Sequence, residues 1–182
     1  MPTPIQSELA ATIKVLKGAS FPASVSWVQS GNFHLTLSFL GDVEQTRVDE
    51  LVPELRSACE NIAPFELFCE ELGYFPNVKR PRVIWAGARS ERDDLSRLQR
   101  RVAIAVAPFA QRQEEKGRFH GHITLGRFRP NRGQPQNNLT REIEEQMNTR
   151  FGKWEVSEIE LVRSDLSQGT PRYSVLRRIP LS

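Results

Sequence analysis

The chain has 182 residues, 38% of them hydrophobic and 26% charged, and its 25 basic and 22 acidic side chains give a formal net charge of +3. No apolar run is long enough to span a membrane, the N-terminal segment lacks the pattern of a secretory signal, and two cysteines are too few for a disulfide framework. We therefore expect one reduced, cytoplasmic domain over residues 1–182. Its mild basicity permits a polyanionic partner without requiring one.

The spacing of apolar residues predicts a mixture of helices and short strands. In chain order we expect a helix at 4–17, strands at 24–29 and 32–40, a helix at 44–61, strands at 65–73 and 81–87, a helix at 91–107, a strand at 121–128, a polar loop at 129–138, a helix at 139–150, and strands at 155–166 and 172–181. Pro53 inside the second helix would mark a first turn or a kink. The second half of the chain echoes the first, which predicts an α+β fold of two lobes without a linker.

Two of the predicted strands carry the same local pattern, His34-Leu35-Thr36-Leu37 and His122-Ile123-Thr124-Leu125. Side chains alternate along a strand, so the His and Thr of each motif share one face and the apolar residues bury the other. If a pseudo-twofold axis relates the lobes, the two polar faces meet across a central cleft. One imidazole would then act as a general base and the other as a general acid, while the threonines bind phosphate oxygens.

Two other interpretations of the motifs compete with this one. A single such motif on a strand is most often a half-buried structural histidine, but two copies on amphipathic strands are harder to explain in that way. Two histidines also occur in many metal sites, yet neither motif has a Cys or carboxylate at ligand spacing. The sequence therefore favours acid–base chemistry without a metal.

Several neighbouring residues are candidates for supporting roles. His120, the third histidine, is expected in the loop before the second motif. Strict alternation would turn Arg127 away from the His face, whereas a bulge at Gly126 would return its guanidinium to a phosphate there. The basic stretch KRPR at 79–82 is either a solvated loop or the electrostatic rim of a nucleic-acid site. Four aromatic residues are either part of the core or candidates to stack on a base, namely Phe39, Tyr74, Phe75 and Phe128.

The motif segments NFHLTLSFLGDV and HITLGRF resemble the two-histidine (2H) phosphoesterase superfamily. Within it, FPNVKRPRVIWAG at 75–87 and the closing YSVLRRIPL resemble the RNA 2′,3′-cyclic phosphodiesterase branch, historically called 2′-5′ RNA ligase. The similarity runs from about Val25 to the C-terminus. It implies a bilobal α+β fold with pseudo-twofold symmetry, in which two antiparallel sheets with flanking helices enclose a central cleft. Members of this family usually open with a short apolar strand, and that strand is expected to be absent here.

The resemblance also implies an activity, which is hydrolysis of a terminal RNA 2′,3′-cyclic phosphate to a 2′-phosphomonoester without metal or cofactor. The implied catalytic residues are His34 and His122, with Thr36, Thr124 and Arg127 binding phosphate. From the residues alone either histidine could be the acid, and the resemblance suggests His34 as the acid and His122 as the base. RNA ends are the implied partner, with no obligate protein partner. The alternatives are reversible 2′-5′ ligation and an RNA-end-binding module without catalysis.

Overall fold

A computed structural model describes residues 1–19, 25–77, 79–111, 119–129, 137–165 and 171–182. Its helices are α1 (Thr3–Ala19), α2 (Val48–Cys59), α3 (Asp94–Val106) and α4 (Asn137–Glu145). Its strands are β1 (Val25–Trp27), β2 (Phe65–Phe75), β3 (Val83–Ser90), β4 (His122–Phe128), β5 (Arg150–Val156), β6 (Glu158–Asp165) and β7 (Arg172–Pro180). None of the helices in these ranges is long and apolar enough to cross a bilayer.

The strands form two sheets, one ordered β1-β4-β3-β2-β5 and one made of β6 and β7. The pairs β1–β4, β3–β4 and β6–β7 are antiparallel. This confirms the predicted α+β class with two antiparallel sheets and flanking helices. The chain divides into two compact units, of which the first is Met1–Leu35, Phe68–Arg89 and His120–Trp154, and the second is Thr36–Leu67, Ser90–Phe119 and Glu155–Ser182.

The first unit is built on one buried face of the five-stranded sheet. Helices α1 and α4 supply apolar residues to this core, and the middle strands supply side chains of alternate residues, as expected for a sheet with one covered face. The fully buried members include Leu9 and Leu16 of α1, Ile84 of β3, and Ile123 and Leu125 of β4. The opposite face of β4 and β3 therefore presents a different set of side chains.

The second unit joins α2, α3 and the β6–β7 hairpin. Helix α2 packs against α3 and β7, and the Arg101 guanidinium donates to the carbonyls of Ser57 and Glu60 at the end of α2, both at 2.7 Å. Pro53 lies inside α2, which continues through it. The pseudo-twofold relation and the central cleft stay predictions.

The predicted strand at 32–40 is wrong. Residues Ser30–Asn32 form a 3₁₀ turn, and the only pairing in the segment is an isolated bridge between Leu35 and Ile123. Farther along, the buried side chain of Gln99 donates to the Leu37 carbonyl at 3.3 Å. The apolar residues do alternate, but the backbone here is held by one bridge, by the Gln99 side chain and by the Gln111 amide, which donates to the Leu40 carbonyl at 3.0 Å.

The predictions near the C-terminus also need correction. The expected helix at 139–150 ends at Glu145, and its last residue, Arg150, begins β5. The single strand expected at 155–166 is divided between the end of β5 and β6, which Ser157 separates. Gly152 lies inside β5 with φ +130°, a conformation that favours glycine. This glycine interrupts the alternation of apolar and polar residues by which the sequence would have indicated strand β5. The predicted loop at 129–138 and the turn at 167–171 lie mostly outside the described residues.

Candidate active site

The second motif lies on β4, where the core determines its orientation. Ile123 and Leu125 are fully buried, so the neighbouring His122 and Thr124 point to the opposite face of the sheet. On β3, Gly87 is opposite His122 and Trp85 is opposite Thr124. We call the surface formed by His122, Thr124 and Trp85 the histidine face.

The backbone of the first motif pairs with β4, which places its histidine next to the same face. β1 covers the end of β4, the amide of Val28 donates to the Leu125 carbonyl at 2.9 Å, and Leu35 then bridges Ile123 in antiparallel orientation. Opposed residues of antiparallel segments point to the same side, so His34 lies on the side of Thr124, next to the histidine face. A pseudo-twofold relation of the lobes would place the two histidines in different lobes. The structure instead places both in the first unit, whereas Thr36 is an exposed residue at the start of the second.

The two motif histidines make the same local hydrogen bond. Nδ1 of His34 lies 2.8 Å from the carbonyl oxygen of Asn32, and Nδ1 of His122 lies 2.8 Å from that of His120. A carbonyl only accepts hydrogen bonds, so Nδ1 carries the proton in both rings. Proton gain and loss then take place at Nε2, and two residues far apart in sequence have the same tautomer.

Two aromatic residues support the ring of His122. The rings of Phe75 and Trp85 are 5.0 Å apart at their centroids, and Phe75 meets His122 edge-on at 5.2 Å. Trp85 is buried, and its indole N–H has no hydrogen-bond partner among the described residues. Such edge-on aromatic contacts are favourable and restrict ring rotation. The packing and the Nδ1 hydrogen bond together hold His122 in one orientation.

His120 lies in the loop before β4, as predicted. Its ring contacts Trp85 at 4.7 Å and Phe75 at 5.4 Å. The burial that this packing causes lowers the pKa of His120, the nearby His122 lowers it further, and Glu71 acts in the opposite direction. His120 is therefore neutral over a wider pH range than an ordinary histidine, which disfavours it as the protonated acid of the pair.

A β-bulge in β4 places Arg127 on the side of the histidine face. The register between β3 and β4 shifts, with Ile84 opposite Gly126 and Trp85 opposite Thr124, so β4 holds one extra residue at this point. Beyond the shift Arg127 pairs with Val83, which has the same parity as Trp85. The bulge that Arg127 needs in order to face this side is thus present, and its exposed side chain points to the same side as Thr124.

Two of the other aromatic candidates belong to the core. Tyr74 and Phe128 pack against the core of the first unit, and the Tyr74 hydroxyl donates to Glu144 at 3.0 Å. Phe39 belongs to the second unit, where 72% of it is exposed. Phe75, by contrast, contacts the motif histidine His122. Trp85 was not among the predicted site residues, and its place within the apolar run at 83–87 was the available signal.

Within the described ranges, no group of three or more His, Cys, Asp or Glu side chains is arranged to hold a metal ion. The side chains gathered here, two imidazoles of matched tautomer beside a threonine and an arginine, can transfer protons and bind an anion.

Comparison with known proteins gives one consistent family. The model of the 2′-5′ RNA ligase superfamily matches residues 5–168. The RNA 2′,3′-cyclic phosphodiesterase of Aquifex aeolicus is 31% identical over 175 residues, covering 96% of this chain and 90% of that protein. The protein of the same name from Archaeoglobus fulgidus is 30% identical, covering 95% and 92%.

Solved structures agree with these sequence relatives. The crystal structure of TT0787 from Thermus thermophilus matches with a TM-score of 0.74 and 27% identity, covering 100% of this chain and 93% of that one. E. coli LigT complexed with 3′-AMP matches with a TM-score of 0.72 and 25% identity, covering 100% and 94%. The expected resemblance is confirmed over nearly the whole chain, and this protein belongs to the 2′-5′ RNA ligase superfamily of 2H phosphoesterases.

Proposed function

We propose that this protein hydrolyses the terminal 2′,3′-cyclic phosphate of cytoplasmic RNA to a 2′-phosphomonoester, with His34 as the general acid and His122 as the general base and without a metal ion. The observation that carries the proposal is the matched pair of Nδ1 hydrogen bonds, which leaves Nε2 of each ring as the proton-transfer atom. Relatives named RNA 2′,3′-cyclic phosphodiesterase add support from outside the chain.

The reaction follows from these two nitrogens. Nε2 of the neutral base removes a proton from water as the water oxygen attacks phosphorus. The bond from phosphorus to O3′ breaks, and Nε2 of the protonated acid donates its proton to the departing O3′. Thr36, Thr124 and Arg127 would hold the non-bridging oxygens and align water opposite the leaving group. Afterwards the base is protonated and the acid is neutral, so one proton exchange with solvent restores the enzyme.

The proposal predicts a defined product. An oligonucleotide that ends in a 2′,3′-cyclic phosphate, incubated with the protein in excess EDTA, should be converted fully to a 2′-phosphate. A phosphatase specific for 3′-phosphates should then release no phosphate from the product. Release would show that O2′ was the leaving group and would overturn the assignment of the bond. Activity that is lost in EDTA and restored by one divalent ion would indicate a metallophosphodiesterase instead.

The two-histidine mechanism also predicts a bell-shaped dependence of kcat/KM on pH. The base must be neutral and the acid protonated, so the rate falls at low pH, where the base is protonated, and at high pH, where the acid is deprotonated. The two limbs belong to the coupled pair. Because its lowered pKa disfavours the protonated form, His120 is not expected to be the acid, so the profile of His120→Ala should keep its alkaline limb. A rate that rises steadily into alkaline pH would contradict an essential imidazolium.

A further inference from the structure

The connection between β2 and β3 carries three exposed cations, Lys79, Arg80 and Arg82, and a fourth, Arg129, follows the end of β4. We call these four residues the basic rim. None of them forms an ion pair with a described acidic side chain, whereas several arginines elsewhere are paired, among them Arg97 with Asp94, Arg100 with Asp93 and Arg178 with Glu160. The basic rim is therefore a local excess of positive charge that the described chain does not neutralise.

Backbone hydrogen bonds connect the basic rim to the histidine face. The amide of Arg82 donates to the Phe75 carbonyl at 2.6 Å, and the amide of Phe128 donates to the Arg82 carbonyl at 2.9 Å. The ring of Phe75 contacts His122. Arg82 is thus fixed between the aromatic support of His122 and the end of β4, where Phe128 follows Arg127.

The amides of two of these cations bind the same side chain. The side-chain oxygen of Asn77 accepts hydrogen bonds from the amides of Lys79 and Arg80, at 3.1 and 3.2 Å. Asn is favoured in turns because its side chain can satisfy the backbone in this way. These hydrogen bonds restrict the amides of Lys79 and Arg80, which lowers the entropy lost when their side chains bind an anion.

The position along the sheet indicates the kind of anion. The proposed function places the reacting phosphate between His122 and Arg127, and the basic rim begins beyond Arg127, with Arg82 hydrogen-bonded to Phe128 and with Arg129. A ligand that fills both places carries negative charge beyond its reacting phosphate, as a nucleotide chain does and a cyclic mononucleotide does not. The backbone of single-stranded RNA has this form.

We propose that the basic rim binds the backbone phosphates that precede the cyclic phosphate, so that the enzyme selects RNA oligonucleotides over cyclic mononucleotides. This rests on the proposed function only for the chemistry at the RNA end. Binding of the backbone is a separate event that can be measured when no bond is broken.

The first test uses the unaltered protein. We expect kcat/KM for a cyclic-phosphate-ended oligonucleotide to fall steeply with salt, because each neutralised phosphate of a single strand adds about 0.7 to the slope of the log–log plot. The cyclic mononucleotide with the same terminal base should show a slope smaller by roughly 2. Equal slopes for the two substrates would overturn the proposal without any variant.

The second test compares two triple variants of equal charge. Lys79→Gln/Arg80→Gln/Arg82→Gln should lower kcat/KM for the oligonucleotide by roughly 10–100-fold, the range for lost electrostatic attraction, and leave the cyclic mononucleotide nearly unchanged. The control Lys14→Gln/Arg56→Gln/Arg150→Gln removes the same charges from exposed sites on α1, α2 and β5. It should leave the substrate preference as it was.

Binding of a labelled single-stranded RNA, followed by fluorescence anisotropy, separates this proposal from the proposed function. Weaker binding in the rim variant than in the control supports the rim even if no turnover occurs. Equal losses in both triple variants would show that only net charge matters, and equal losses for both substrates would show damage at the histidine face. Either result overturns the rim as an RNA-binding surface.

Discussion

Replacing His34 or His122 with alanine should lower turnover of a cyclic-phosphate-ended oligonucleotide by roughly 10²–10⁴-fold, the range for losing a positioned acid or base. Each change removes an imidazole whose tautomer is set by the carbonyl two residues earlier, and with it the Nε2 that transfers the proton. Because the two rings act on one reaction step, the double variant should fall far short of the product of the two single effects. Single-turnover and steady-state rates would measure this.

His120→Ala is the matched control for these variants. The group that contacts Nδ1 of His122 is the backbone carbonyl of residue 120, which alanine keeps, so the variant should retain most of its activity. Thermal unfolding of all the variants would show that each is folded. A folded His34 or His122 variant with nearly normal turnover would refute the two-histidine mechanism, and a loss in His120→Ala as large as theirs would assign the third histidine a catalytic role.

Alanine at Gly73 or Gly87 should damage stability and activity together. A β-carbon at Gly73 would overlap the ring of Trp85, and one at Gly87 would lie 2.6 Å from the Glu70 carbonyl oxygen. Trp85 is buried and packs against Phe75, and the second obstacle is backbone, so neither clash is relieved by rotating a flexible side chain. We expect each variant to lose about 1–3 kcal/mol of unfolding free energy.

Activity should fall further than this loss of stability explains. Moving Trp85 or β3 shifts the support of His122, and a misplacement of about 1 Å can cost roughly 10²-fold in rate. Chemical denaturation and kcat measured well below the unfolding temperature would separate the two effects. Gly18→Ala is the control, since nothing lies within 4 Å of its added β-carbon and alanine favours the α1 helix. Normal stability of both Gly73→Ala and Gly87→Ala would contradict the packing described for Trp85.

The sequence alone predicted the parts of this protein that depend on local pattern. Helix α1, strand β4 and the buried alternation of Ile123 and Leu125 follow from side-chain period, and that period also places His122 and Thr124 on one face. The repeat of the motif indicated both histidines, and the motif segments identified the family. These features could be read from the chain because residue type and spacing determine them within a few residues.

Only the tertiary structure decided the features that depend on distant backbone. Residues 32–40 have the alternation of a strand, but their pairing is confined to the bridge between Leu35 and Ile123, and residues 25–28 occupy the edge of β4 on one side of that bridge. The face of Arg127 depends on a register shift against β3, and one extra residue reverses every side chain beyond it. Pairing register and edge occupancy are set by elements far apart in the chain, so spacing within one segment does not contain them.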